Sequence, residues 1–199
     1  AAVDTIAETL THVPAQSRRR VAMAKWACDE IHKAGGLAIF AHPFWQPRKY
    51  NVSEEFGQLL FGEKMFAALE LMGGIGDKNN TLQLALWQEQ AFQGNVSPVV
   101  GSTDSHNHDF SGGRFGRRFT YVFARENSTE AILEAIRAGY SVAGELPMDS
   151  ESEVRFYGSR LRLVAFAHFL FENYFCETWR LCVGEGILMR RYAEGEDVA

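Results

Sequence analysis

The segment VVGSTDSH, residues 99–106, is an apolar run that ends in small residues and then presents a carboxylate and an imidazole, Asp104 and His106. Extended backbone places residues i and i+2 on the same side, so these two side chains are expected to hold one cation. A similar segment, LAIFAHP at 37–43, ends an apolar run with His42 before a proline. In parallel α/β sheets, functional side chains collect at the carboxyl ends of strands. The two segments therefore predict a metal site made by two strand ends.

Helical and strand patterns alternate around these segments. Strands are predicted at 37–41, 67–72, 98–102 and 119–124, with a last short one at 140–143. Helices are predicted before the first strand, at 56–66, from Asn79 or Asn80 to Gly94, and at 130–139 after the capping residue Ser128. This alternation predicts βαβ units, a parallel sheet and an α/β fold. We expect extended backbone at His42, since a following proline disfavours helical backbone.

Glu70 is an acid inside the apolar run at 67–72. An unpaired buried carboxylate is costly, so Glu70 needs a partner: a metal, a metal-bound histidine or an arginine. We favour a role beside the ligands or on the substrate over direct ligation. The glycine-rich loop 107–118 adds His108, Arg114 and Arg117 as candidate substrate contacts, because a guanidinium binds phosphate oxygens through two parallel hydrogen bonds. For His108, an extra ligand, a proton carrier and a surface residue all stay open.

Composition limits the class of protein. The chain has 199 residues, enough for one domain, and its net charge of -5 argues against binding to duplex nucleic acid. The cysteines Cys28, Cys176 and Cys182 form no C-x-x-C pair, which favours a reducing, cytoplasmic setting. The apolar stretch 163–171 is too short to span a membrane. We predict a domain over 1–147 and an aromatic-rich, mainly helical extension over 148–199 that packs on it.

The motifs GGLAIFAHP at 35–43 and GSTDSH at 101–106 resemble the later half of the polymerase-and-histidinol-phosphatase (PHP) family of metal-dependent phosphoesterases. Gly116, Thr120 and the helix that ends in AIRAG at 135–139 are similar to the stretch that follows there. The resemblance implies a distorted (β/α)7 TIM-type barrel, of which this chain holds the C-terminal half and a helical tail.

In that family, the positions of His42, Asp104 and His106 bind metal, so the resemblance makes these residues the ligands and the catalytic group. It implies up to about two or three divalent ions that activate a hydroxide to hydrolyse a phosphoester of a small metabolite or nucleotide. Imidazole and carboxylate ligands suit Zn, Mn or Fe. The remaining histidines His12, His32 and His168 are expected to be structural.

The family opens with a His-x-His motif, and this sequence contains none. Three ligands hold a single ion with an open position, but they do not build a multi-metal cluster. Nor do three or four strands close a barrel, so an exposed sheet edge is expected. We expect one of three cases. An N-terminal half is missing, another chain or a second copy supplies that half, or the protein is a degenerate relative of the family. Alternative functions are a noncatalytic binding module that uses the Phe-rich tail, and a metal hydrolase of the amidohydrolase type.

Overall fold

The computed structural model describes residues 1–45, 52–75, 77–104, 117–147 and 153–197. The first half contains α1 (Ala2–Thr9), α2 (Ala15–Lys33), β1 (Ile39–Phe40), α3 (Glu54–Gly62), β2 (Ala68–Met72), α4 (Asp77–Phe92) and β3 (Val99–Gly101). The second half contains β4 (Arg118–Val122), α5 (Thr129–Arg137), β5 (Ser141–Glu145), β6 (Arg155–Tyr157), α6 (Leu161–Leu170), a π-helical segment (Phe171–Phe175) and α7 (Cys176–Ala193).

The first three strands form a parallel sheet in the order β1-β2-β3, as the alternating pattern predicts. Every residue of β2 and β3 is buried, which explains why both strands are continuous apolar runs instead of alternating ones. Leu69 of β2 pairs with Phe40 on one side and Val99 on the other. β1 lies at the sheet edge, where Ile39 is 42% exposed. The expected open edge is therefore present in the described part of the chain.

The second sheet is antiparallel, in the order β4-β5-β6. It adjoins β3 through side chains: the Ser141 hydroxyl donates to Val99 O at 2.8 Å, and the Thr120 hydroxyl donates to Gly101 O at 2.8 Å. The parallel pairing expected from the alternating pattern stops at β3. The fold is thus mixed α/β, and the half of a (β/α)7 barrel that the resemblance implies is not confirmed by these two sheets.

Two apolar clusters hold the helices on the parallel sheet. Phe61 of α3 and Leu86 of α4 pack on Leu69, Leu71 and Val99 of the strands. A second cluster joins α1, α2 and α3. Each fully buried side chain of this size contributes about 1.5–3 kcal/mol to stability. Packing of α3 and α4 on the strands therefore stabilises the parallel sheet.

The four helices that lead into strands all end with a residue in left-handed backbone. These residues are Gly35 (φ 84°), Lys64 (φ 48°), Gly94 (φ 88°) and Gly139 (φ 73°). Left-handed residues commonly terminate helices, and glycine adopts this conformation at the least cost. Lys64 is the exception among the four.

The segment after residue 153 contributes to the second sheet and then becomes helical. β6 pairs with β5, and Phe156 of β6 packs with Phe119 and Phe171. α6 is buried at Ala167, whereas Leu161 is 83% exposed and Tyr192 of α7 is 73% exposed. Aromatic packing of this segment on the domain agrees with its composition, and the boundary between 147 and 148 stays a prediction. Among the described helices, none combines the length and the apolar character that crossing a bilayer requires.

Candidate metal centre

Glu70 connects the carboxyl ends of the three parallel strands. Its side chain is buried in the middle strand, and the residue is 5% exposed. Oε2 accepts a hydrogen bond from the backbone N–H of His42 at 2.8 Å, and Oε1 accepts one from the hydroxyl of Ser102. A buried carboxylate with two donors is satisfied without a cation. The prediction that Glu70 has a partner is confirmed by a backbone N–H and a hydroxyl group, and a metal or a metal-bound histidine as a further partner stays a prediction.

Two buried amides of α4 hold the end of β2. Asn80 accepts from Gly73 N–H at 3.0 Å and donates to Gly73 O at 3.1 Å. Gln83 donates to Leu71 O at 2.9 Å and to Glu70 O at 3.2 Å. The prediction that this helix starts at Asn79 or Asn80 is wrong, since α4 begins at Asp77. The sequence signal that could have identified these two residues is their spacing. They stand three residues apart, which places both amides on the face of α4 that meets the sheet.

His42 follows β1 and is half-buried. Its φ is 31°, so the predicted extended backbone is wrong. The cause is tertiary, because the His42 N–H is directed to the Glu70 carboxylate, while its carbonyl accepts from Trp45 N–H at 2.9 Å. The Trp45 ring lies edge-on to the imidazole, with centroids 5.4 Å apart. An aromatic ring thus stands beside the predicted ligand.

Asp104 lies half-buried beyond β3, against the loop that follows β2. A Cβ atom added at Gly74 would be 1.9 Å from Thr103 O and 2.9 Å from the Asp104 Cβ. Only glycine fits at this approach. The φ of Asp104 is 50°, so the extended geometry assumed for the Asp-x-His pair is wrong at its first member.

The structure describes one of the four remaining predicted site residues. His106, His108 and Arg114 lie outside the described residues. Arg117 is described, and its guanidinium donates to Pro147 O at 3.0 Å. This contact anchors the end of the loop to the segment after β5, and a substrate role for Arg117 stays a prediction.

The other histidines have structural surroundings. His12 pairs with Glu63 on the surface. The Nε2 atom of His32 accepts from Ala38 N–H at 3.3 Å. The ring of His168 packs edge-on against Phe156, with centroids 4.8 Å apart. These contacts agree with the structural roles expected for all three.

The donor chemistry of the strand ends fits a divalent ion in part. His42 offers an imidazole beyond β1 and Asp104 a carboxylate beyond β3, the two strands on either side of β2, and this combination of donors binds Zn, Mn or Fe. Within the described ranges, no three His, Cys, Asp or Glu side chains are grouped so that they could hold a metal. The third predicted ligand, His106, is outside those ranges, so the assignment of all three ligands stays a prediction.

No protein-family model matches the chain. No curated protein matches it either. The chain is similar to a solved two-domain protein of Bacteroides vulgatus ATCC 8482 that contains a predicted PHP-like metal-dependent phosphoesterase. The identity is 26%, the TM-score is 0.42, and the match covers 59% of this chain and 34% of that one. The matched part is thus about a third of that protein's length. The family in this description is the one that the two histidine motifs resemble.

Proposed function

We propose that the chain contributes part of the active site of a PHP-like metal-dependent phosphoesterase that acts on a small phosphorylated molecule. The observation that carries the proposal is the Glu70 carboxylate, which joins the residue carrying the His42 imidazole to the strand end that leads to Asp104. In this proposal the parallel sheet is the C-terminal part of a (β/α)7 barrel. His42, Asp104 and His106 hold one ion, and further ligands come from outside these 199 residues.

The residues of the site would act by position and charge. A bound divalent ion supplies a hydroxide at neutral pH and neutralises phosphoryl oxygens. The His42 ring donates a nitrogen lone pair, and the Asp104 carboxylate adds the negative charge that favours a cation. Glu70 keeps the His42 backbone in place, while Trp45 limits the approach of water from one side. Arg114 in the loop before β4 would contact the phosphate through its guanidinium.

Metal binding by the 199-residue chain tests the ligand assignment. We expect saturable binding of Mn²⁺ or Zn²⁺ in calorimetry after treatment with a chelator. His42→Ala and Asp104→Asn should each weaken the affinity by at least about tenfold, since removal of even a supporting partner costs about 10–100-fold. His12→Ala is the matched control, because this histidine pairs with Glu63 at the surface. Equal affinity in all four proteins would refute the assignment.

The reaction class is tested on the full-length gene product. A panel that pairs phosphoesters with amides should show metal-dependent release of phosphate, abolished by Asp104→Asn. Turnover of amides alone would instead support the amidohydrolase alternative. The absence of both activities in the metal-loaded protein would refute the proposed hydrolase.

A noncatalytic binding module is the second candidate, and the exposed apolar side chains of the tail favour it. Met189 and Tyr192, which stand three residues apart on one face of α7, are 72% and 73% exposed. Large exposed apolar groups that lie together mark interaction surfaces. This candidate predicts that association with a partner survives His42→Ala and that no substrate is turned over. Loss of association in Tyr192→Ala, with metal binding unchanged, would distinguish it from the hydrolase.

A further inference from the structure

A cavity of about 500 Å³ lies at the opposite end of the parallel sheet from the candidate metal centre. It opens to solvent and is bordered by the segments that lead from the helices into β2 and β3, and by the ends of α2 and α5. Phe61 and Phe66 form part of its wall, and Asn95 and Ser97 add polar groups. Its volume is in the range of small-molecule sites, and its lining combines apolar and polar groups.

Three basic side chains from three separate elements line this cavity: His32, Lys64 and Arg137. No aspartate or glutamate of the described chain lines it. One guanidinium nitrogen of Arg137 donates to Gly36 O at 3.1 Å, which orients the group and leaves its other donors available. Lys64 forms no side-chain hydrogen bond or ion pair with any residue in the described ranges. Lys64 and Arg137 therefore present cationic donors to the cavity without a built-in anion, whereas Nε2 of His32 already accepts from Ala38 N–H.

The backbone at Lys64 supports a role for its side chain. The three equivalent helix ends use glycine for the left-handed residue, whereas this end uses lysine at φ 48°. The helix dipole favours a cation near a helix carboxyl end, and this accounts for His32 and Arg137 in the last turns of their helices. At an exposed position that gain is no larger than the cost of left-handed backbone to a residue with a Cβ. The dipole alone therefore gives lysine no advantage over glycine.

We propose that this cavity binds the oxyanion of a small organic molecule, a phosphate or a carboxylate, between Lys64 and Arg137. The guanidinium supplies paired donors to two oxygens, and the ammonium supplies a point charge. The partly buried Phe66 ring contacts the apolar part of the ligand. The site is separate from the candidate metal centre, so a failure of the phosphoesterase proposal would not refute this one.

The test is a titration of the chelator-treated 199-residue chain at constant ionic strength with inorganic phosphate, phenyl phosphate and benzoate. Saturable binding is expected, and phenyl phosphate should bind more tightly than inorganic phosphate because of the aromatic wall. Lys64→Gly and Arg137→Gln should each weaken the affinity about three- to fivefold, the ratio of a partly exposed ion pair. Lys64→Gly is suited to the local φ, so it should remain folded by circular dichroism.

Lys33→Ala is the matched control, since it removes an exposed lysine of α2 that pairs with Glu30. Its affinity should equal that of the wild type. Sensitivity to Lys64→Gly in the phosphate or the benzoate series supports the proposal and identifies the group that is bound. The proposal is overturned by an absence of saturable binding in all three series, by unchanged affinity in Lys64→Gly, or by an equal loss in Lys33→Ala.

Discussion

The link through Glu70 makes a quantitative prediction about stability. In Glu70→Leu the His42 N–H and the Ser102 hydroxyl both lose their acceptor. An unsatisfied buried donor costs about 1–3 kcal/mol. Because both residues are half-buried, water takes over part of the loss, and we expect a decrease of about 2–3 kcal/mol in the free energy of unfolding.

Glu70→Gln separates hydrogen bonding from charge. The amide oxygen can accept from His42 N–H, and the amide nitrogen can donate to the rotated Ser102 hydroxyl, so both contacts survive. Only the charge assistance is lost, for which we expect about 1 kcal/mol. Urea unfolding followed by tryptophan fluorescence measures both variants. Glu89→Gln, on the exposed face of α4, is the control and should change stability by less than about 0.5 kcal/mol.

A double-mutant cycle with Ser102→Ala isolates the hydroxyl contact, and a coupling of about 0.5–3 kcal/mol is expected for groups in direct contact. Equal losses in Glu70→Leu and Glu70→Gln would refute the reasoning, since the apolar variant alone leaves two donors unpaired. If Glu70 also positions His42 for metal binding, then Glu70→Leu, which removes the acceptor of the His42 N–H, lowers the Mn²⁺ affinity by about tenfold, whereas Glu70→Gln lowers it less.

Three further predictions concern packing, a buried ion pair and pH. Gly74→Ala should lower the free energy of unfolding by about 3 kcal/mol or more, because the new Cβ would be 1.9 Å from a carbonyl oxygen. Gly62 has open space around it, so Gly62→Ala should be neutral or stabilising by about 0.5–1 kcal/mol, and urea unfolding compares the two variants. Glu145→Leu removes the carboxylate that lies 3.0 Å from the buried Arg118 guanidinium. Calorimetry should show that the free energy of unfolding falls by about 3–5 kcal/mol, and a decrease below about 1 kcal/mol would contradict this prediction. Burial raises the pKa of Tyr121 from 10.0 to about 12, so the unfolded chain loses this proton first and stability should fall between these pH values; Tyr121→Phe should flatten that part of the urea-measured pH profile.

The strands of the parallel sheet were predictable because their signal is local. The run at 67–72 is apolar throughout except for Glu70, and such a run between helices indicates a strand buried on both faces. The observed β2 covers all but the first of these residues. Helix ends were equally readable where glycine marks them, as at Gly35 and Gly139.

The antiparallel pairing of the second sheet could not be predicted from the local pattern of apolar residues. β4, α5 and β5 follow one another as strand, helix and strand, which is the order that predicts a parallel unit. The contact that accompanies the antiparallel register is a charge pair between Arg118 and Glu145, which stand opposite each other across β4 and β5. Periodicity within a short window contains no information about a partner 27 residues away.

The candidate site was predictable in its residue types but not in its backbone. The rule for a residue before proline concerns local sterics, and at His42 a hydrogen bond to Glu70, 28 residues distant, prevails over it. Asn80 and Gln83 were missed for a related reason. Their amides are buried on the side of α4 where the pattern leads one to expect apolar residues, and their partners are backbone groups at the end of β2.

Both sites contain non-glycine residues with left-handed backbone. In the described part of the chain, the non-glycine residues with positive φ are His42, Lys64 and Asp104. Such conformations cost about 1–3 kcal/mol each and persist only where the surroundings enforce them. Glu70 enforces the first through its hydrogen bond, and Gly74 permits the third by its close approach. At Lys64 the backbone N–H donates to Phe61 O at 3.0 Å in the turn that ends α3, so the left-handed conformation there belongs to the helix end, where the other three helices that lead into strands have glycine.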